Sequence, residues 1–259
     1  MKNSIKTLWA DNRPVLNGWL AVSNGFTAEI MAAQGYDSLT IDLQHGLVDY
    51  QGAVSMLQAM RSSGVAPMIR VPWLDPTHIM KALDAGAYGI ICPMINTRKE
   101  AEELVSYVRY PPTGVRSFGP VRANLTVGPD YFAGADQEII CLAMIETEQA
   151  LSNLDDILAT PGLDGIYIGP ADLTISLFGR RFPTGFDRTE PEMIDVIRYI
   201  LAAAKKAGKR AGLHNGHADY AAKAVEWGFD LLTISSDARL LAEAAKTSVN
   251  AFRRALAKP

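Results

Sequence analysis

Residues 35–46 read GYDSLTIDLQHG. A glycine opens the stretch, a run of β-branched and aliphatic residues follows, and the run ends in Asp42, Gln44 and His45. Successive side chains of a strand point to opposite faces, so an inward Asp42 also turns Ser38 and Thr40 inward. Leu39, Ile41 and Leu43 are then left for an apolar outer layer. The stretch thus reads as one strand, entered through a glycine turn, that delivers polar groups at its C-terminal end.

The same unit recurs in both directions. Short aliphatic runs predict strands over 16–22, 38–43, 66–71, 89–95, 139–146, 165–168, 210–214 and 230–235. Apolar residues at helical spacing predict helices over 26–33, 50–62, 76–85, 99–109, 148–159, 191–207, 218–227 and 238–256. Gly35, Gly64, Gly86, Gly208 and Gly228 each fall just after a helix and before a strand, where a left-handed C-cap is wanted. Strict alternation with nothing left over predicts a single α/β domain spanning 1–259, a closed parallel (β/α)8 barrel of the TIM type, rather than an open sheet.

Composition narrows the partners. The 259 residues are 48% hydrophobic and 20% charged, with a formal net charge of −3 and acids and bases interspersed. That offers no basic field for nucleic acid or an anionic membrane surface, so small solutes are expected. No stretch approaches the roughly 20 apolar residues of a membrane span, and no apolar core follows the first lysines as in a secretory signal. Cys92 and Cys141 sit within apolar runs and read as packed free thiols in a reducing cytoplasm.

Active sites of such barrels gather at the C-terminal ends of strands. Besides Asp42, Gln44 and His45, these ends carry Arg70 in MIRVP, Glu146 in LAMIE and Asp172 in YIGPADL. Two carboxylates without a nearby cysteine or histidine pair suit Mg²⁺ or Mn²⁺, with Co²⁺, Ni²⁺ or Zn²⁺ as alternatives, and leave positions for substrate. A 2-oxo acid would fill them, the cation stabilising its enolate as a Lewis acid, Arg70 reinforcing the charge and His45 moving protons. The structural alternatives are N-caps or ion pairs with Arg70 for the carboxylates, an internal ion pair for Arg70, and a backbone-bonded loop histidine for His45. His214 and His217 are second candidates for the base. No lysine lies inward near a strand's C-terminal end for a Schiff base, and P-loop, GxGxxG and nucleophile-elbow patterns are absent.

At these residues the sequence resembles the HpcH/HpaI family of metal-dependent class II pyruvate aldolases, which includes 4-hydroxy-2-oxoheptanedioate and 2-dehydro-3-deoxyglucarate aldolases. The segments that carry the likeness are NGWLAVSN, DLQHG, IRVPW, ALDAGAYGIICPM, RYPPTGVRS, IETEQAL and GIYIGPADLTISL, in order across almost the whole chain. The resemblance implies that Glu146 and Asp172 are metal ligands, His45 the acid/base and Arg70 the enolate stabiliser. Backbone at Ala171 and Asp172 would receive the substrate carboxylate, Trp19 and Leu213 would line the pocket, and Asp42 would hold a metal-bound water. Asp84 would raise the basicity of a histidine, and its place at the barrel's other end requires that histidine to belong to a neighbouring subunit.

By the same argument the long connection 111–137 would carry Arg116 and Arg122 toward a partner. The family implies a homohexamer that exchanges its last helix. It also implies reversible cleavage of a 4-hydroxy-2-oxo acid to pyruvate or hydroxypyruvate plus an aldehyde. The alternatives are a related barrel lyase acting on a hydroxyacyl thioester and a non-catalytic 2-oxo-acid-binding barrel. Gln44 and Met144 depart from the family pattern, and the loop FGRRFPTGFDR (178–188) is individual. There Arg180 and Arg181 would favour an acidic acceptor unless they form a solvated loop.

Overall fold

The computed structural model describes residues 1–257. Parallel strands β1 (Val15–Leu20), β2 (Ser38–Asp42), β3 (Ala66–Arg70), β4 (Gly89–Cys92), β5 (Ile140–Ile145), β6 (Gly165–Ile168), β7 (Arg210–Asn215) and β8 (Leu231–Ile234) close into a barrel in chain order. The ring closes where Val15, Leu16 and Asn17 of β1 pair with Leu231, Leu232 and Thr233 of β8. Around it lie α1 (Ser4–Ala10), α2 (Gly25–Ala32), α3 (Tyr50–Ala59), α4 (Pro76–Asp84), α5 (Arg98–Val108), α6 (Val121–Val127) and α7 (Tyr131–Glu138). The remainder are α8 (Glu148–Ser152), α9 (Leu154–Leu158), α10 (Pro170–Phe178), α11 (Pro191–Lys206), α12 (Ala218–Trp227) and α13 (Asp237–Leu256). The (β/α)8 architecture expected from the sequence is therefore the one observed. No helix among the described residues is long and apolar enough to cross a membrane.

Strand parity sorts the side chains as expected. Leu39, Ile41, Ile69, Val71, Ala143 and Ile145 belong to the outer core between barrel and helices. Trp19, Met68, Ile91, Leu142, Met144 and Tyr167 fill the interior. The five turn glycines all take left-handed φ values, from +68° at Gly208 to +107° at Gly228, which L residues with a Cβ rarely adopt.

Four helices were not legible. α1 closes the bottom of the barrel: Asn3 caps it, Ile5 and Trp9 enter the interior cluster, and Trp9 Nε1 donates to the Asp230 carbonyl at 3.0 Å. Its seven residues are too short to display a period. α6 and α7 are equally short and are separated by Gly128 at φ +98°. α10 hides behind a Gly-Pro pair that reads as a turn, yet Pro170 stands at the first helical position, where its missing N–H costs nothing. In addition, 148–159 divides at Asn153 into α8 and α9, and the end of 50–62 tightens to a 3-10 turn at Met60–Ser62.

A polar layer ties the interior together at one level. Asn17 Nδ2 donates to Thr233 Oγ1 at 2.8 Å, while Asn17 Oδ1 accepts from Ser38 Oγ at 2.8 Å and Thr40 Oγ1 at 3.0 Å. All four residues are fully buried. Asn17→Ala strands the Ser38 and Thr40 hydroxyls, while Thr233 Oγ1 keeps the Tyr167 hydroxyl at 2.6 Å, and stability in urea is expected to fall by about 2–4 kcal/mol.

Candidate active site

Glu146 follows β5 directly and is only 2% exposed. Its Oε1 accepts the Met94 N–H at 2.8 Å, which Met94 supplies from a left-handed conformation at φ +57°. Gly169 passes so close that a Cβ there would sit 2.6 Å from Glu146 Oε2, so any larger residue would push this carboxylate aside. Burial pushes the Glu146 pKa up to about 7, the Met94 N–H offsets part of this, and the charge of Asp172 raises it further. Asp172 lies in the first turn of α10 and is exposed at the mouth. Neither acid is a helix cap: Thr147 caps α8, and Gly169 occupies the N-cap position of α10.

Arg70 pairs with Asp42 instead of these acids. Nε donates to Oδ1 at 2.8 Å and Nη2 to Oδ2 at 2.6 Å, with both side chains buried. Asp42 also accepts from Trp19 Nε1 at 3.2 Å, Gln44 N at 3.0 Å and His45 N at 3.3 Å. Burial alone would raise its pKa; hydrogen bonds and charge from Arg70, with those from Trp19 and Gln44, outweigh burial and hold it below the usual carboxylate range. The same carboxylate therefore aims Arg70 and fixes the loop that presents the exposed His45.

Apart from Glu146, which lies behind the lining residue Gly169, these groups share one cavity of about 220 Å³, space for about seven waters at about 30 Å³ each. Trp19, Asp42, His45, Arg70, Ala171 and Asp172 line it, as do Met144, Phe186, His214, Ser235, Ser236 and Arg239. The first-turn N–H groups of α10, including those of Ala171 and Asp172, face no carbonyl four residues back and suit a carboxylate. Among the described residues no three His, Cys, Asp or Glu side chains are arranged to hold a metal. The pair Glu146 and Asp172 nevertheless fits a hard divalent cation: both are oxygen donors, the buried one is destabilised by its neighbour's charge, and the nearby arginine is committed to Asp42.

A profile of the HpcH/HpaI aldolase/citrate lyase family matches residues 16–244. The chain belongs to this family. The hydroxypyruvate/pyruvate aldolase of Rhizorhabdus wittichii is 42% identical over 254 residues, covering 98% of this chain and 100% of that one. The 4-hydroxy-2-oxo-heptane-1,7-dioate aldolase of Salmonella dublin is 34% identical over 257 residues, 97% of this chain and 95% of that one. A solved HpcH/HpaI aldolase/citrate lyase family protein from Burkholderia cenocepacia J2315 superposes with a TM-score of 0.89 at 31% identity, covering 97% of this chain and 100% of that one. The chain is accordingly an enzyme, a lyase of the aldolase kind.

One residue expected to line the pocket lies elsewhere, and Asp84 stands at the barrel's other end, where its place in the sequence put it. The Leu213 side chain packs in the outer layer, because in β7 it is His214 that shares the inward parity of Gly212. Asp84 ends α4 and pairs with Arg116 at 2.7 Å, away from the cavity of its own barrel. Arg116 is buried against Tyr110 and Tyr131, and Arg122 donates to the carbonyls of Ala85 and Leu57, so neither reaches outward as expected. No local pattern marks Met94, which acts through its backbone N–H, or Phe186, Ser235, Ser236 and Arg239, which lie in loops or a helix's first turn.

His214 packs edge-on to Trp19 at 4.7 Å, and its Nδ1 lies 3.0 Å from the Tyr167 hydroxyl. Burial, reinforced by the charge of Arg70, pushes its pKa down to about 3, so it is neutral and unsuited to take a proton. Between that value and its ordinary 6.5 the unfolded chain binds a proton that the folded chain refuses. The stability this neutral histidine contributes is therefore complete above pH 6.5 and is lost as pH falls. Its share amounts to about 2 kcal/mol between pH 7 and pH 5, and urea titrations of His214→Gln are expected to show a correspondingly shallower acid loss.

Proposed function

We propose that this enzyme reversibly cleaves 4-hydroxy-2-oxo acids to pyruvate or hydroxypyruvate plus an aldehyde. The observation that carries the proposal is a pair of carboxylates, Glu146 and Asp172, neither with an ion-pair partner among the described residues, at strand ends beside an arginine locked by Asp42. Glu146 and Asp172 would hold a divalent cation, Mg²⁺ or Mn²⁺ by their oxygen donors. When bound, the ion supplies Lewis-acid polarisation of the C2 carbonyl.

The protein's own groups do the rest. The α10 N-terminus at Ala171 and Asp172 receives the substrate carboxylate. Asp42 occupies Nε and Nη2 of Arg70, leaving Nη1 to face the negative charge that develops on the C2 oxygen. His45, on the rim, removes the C4 hydroxyl proton as the C3–C4 bond breaks; the bonding pair stays on C3 as an enolate and the aldehyde departs. His45 returns that proton to C3, which gives the 2-oxo acid and regenerates the base, and no electron acceptor is required. Asp42, its oxygens engaged by five donors, positions Arg70 and His45.

The proposal extends to assembly. Of the 20 residues of α13 only Asp237 is buried, while Leu240, Leu241, Val249, Phe252 and Leu256 are exposed. The face where an eighth barrel helix would lie is an apolar groove of about 270 Å³ lined by Pro14, Leu16, Ala221, Val225, Leu232 and Ile234. Exchange of α13 between copies, within a hexamer, covers both surfaces, and a neighbouring copy would also bring Asp84 to a histidine. The buried free thiols Cys92 and Cys141 suit a cytoplasmic setting.

With Mn²⁺, the enzyme is expected to exchange the methyl protons of pyruvate for deuterium. Glu146→Gln should lose Mn²⁺ binding, read by electron paramagnetic resonance, together with exchange, and His45→Ala should slow exchange by 10²-fold or more while binding Mn²⁺ normally. Exchange that persists in a chelator would sink the proposal. Separately, Leu241→Glu with Phe252→Glu should convert the oligomer to smaller species in light scattering with unchanged circular dichroism; an unaltered mass would remove α13 from the interface.

A further inference from the structure

The cavity is lined by two arginines in different circumstances. Arg70 is committed to Asp42 through two hydrogen bonds. Arg239, in the first turn of α13, has no ion pair with an Asp or Glu side chain among the described residues, and its charge reaches into the cavity far enough to depress the pKa of His214. The carboxylates around it are engaged elsewhere. Asp237 is buried and accepts from the N–H groups of Ala21, Val22 and Ala238. Asp187 accepts the Gly216 N–H at 2.7 Å and lies 2.7 Å from His217 Nδ1. Asp42 is taken by Arg70, and Asp172 belongs with Glu146.

One aromatic wall connects the two guanidinium groups. Arg70 Cζ lies 4.8 Å from the Trp19 ring, Trp19 meets His214 at 4.7 Å, His214 meets Phe186 at 4.4 Å, and Arg239 Cζ lies 5.2 Å from Phe186. The loop that holds Phe186 is itself tied down. Buried Arg188 bonds Glu190 at 2.8 Å and the carbonyls of Pro183 and Gly185 at 2.9 and 3.2 Å. Arg239 is thus braced against a fixed ring in the cavity wall, with Ser235 and Ser236 beside it in the lining. By contrast, Arg181 pairs with Glu192 at 2.9 Å and stacks on Phe178 and Phe182, and neither Arg180 nor Arg181 lines the cavity.

We infer that Arg239 is the group that selects the acceptor, receiving an anionic terminus, carboxylate or phosphate, on the aldehyde half of the substrate. The inference rests on the aldolase reaction proposed above and names its acceptor class. An unpaired guanidinium braced by a ring binds a planar carboxylate or a phosphate through two N–H groups, while a neutral aldehyde leaves it to water.

The test compares Arg239→Ala and Arg239→Lys with the unsubstituted enzyme in pyruvate aldol addition to succinate semialdehyde, glyceraldehyde 3-phosphate and the neutral aldehydes butanal and glyceraldehyde. The ratio of kcat/KM for anionic over neutral aldehydes is expected to fall 10- to 100-fold in Arg239→Ala, the scale of one charge-assisted hydrogen-bond pair, and less in Arg239→Lys. A fall confined to the semialdehyde or to the phosphate assigns that anion; an unchanged ratio for both overturns the inference. Calorimetric titration with succinate, a non-reacting probe, decides independently of turnover. About tenfold weaker binding in Arg239→Ala supports the assignment and equal binding refutes it. Failure of the unsubstituted enzyme to exchange pyruvate protons would count against the reaction alone.

Discussion

A carboxylate and a guanidinium, both withdrawn from water, meet edge to edge at the mouth of the barrel, and the site is organised around that contact. Burying Asp42 and Arg70 is tolerable only if every charged edge finds a partner. The two Arg70 bonds, the Trp19 indole and two loop N–H groups meet that demand at Asp42. In satisfying one buried charge the chain also fixes the orientation of Arg70, the tilt of Trp19 and the loop that carries His45. It leaves Glu146 without an ion pair, and that deficit is what the proposed divalent cation would meet. Two acids of the same barrel thus acquire opposite characters, Asp42 held ionised by Arg70 and Glu146 pushed toward protonation by burial.

Backbone geometry supports the side chains at the points of closest approach. Met94 accepts a left-handed conformation to direct its N–H at Glu146, and Gly169 makes room for the same carboxylate. Ser235, also left-handed at φ +53°, turns the chain from β8 toward α13 at the cavity's edge. Strained residues of this sort persist where the surroundings over-determine them, and here two of the three non-glycine examples lie at the mouth.

Much of this was legible in the sequence because strand parity is rigid. Fixing Asp42 inward settled Leu39 and Ile41, and fixing Glu146 inward settled Ala143 and Ile145. Parity sets Leu213 outward as well, since Gly212 and His214 share a face and Leu213 takes the other. Arg239 and Phe186 escaped because nothing local marks a first-turn arginine or a loop phenylalanine as facing inward. Their position depends on where α13 and the 178–188 loop dock. The short helices α1, α6 and α7 escaped because seven or eight residues hold barely two turns of pattern.

α13 joins two districts of the molecule that are otherwise remote. Its first turn carries Arg239 into the cavity, and the remaining length, roughly 25 Å at 1.5 Å per residue, carries its apolar stripe away from its own barrel. A helix is stiff along its axis, so whatever seats its far turns also sharpens the aim of its near one. If copies associate through that stripe, as proposed, quaternary association and occupancy of the rim are two ends of one lever. Thermodynamic reciprocity requires that an anion gripped at the fulcrum tighten the union of subunits by the same factor by which that union tightens the grip.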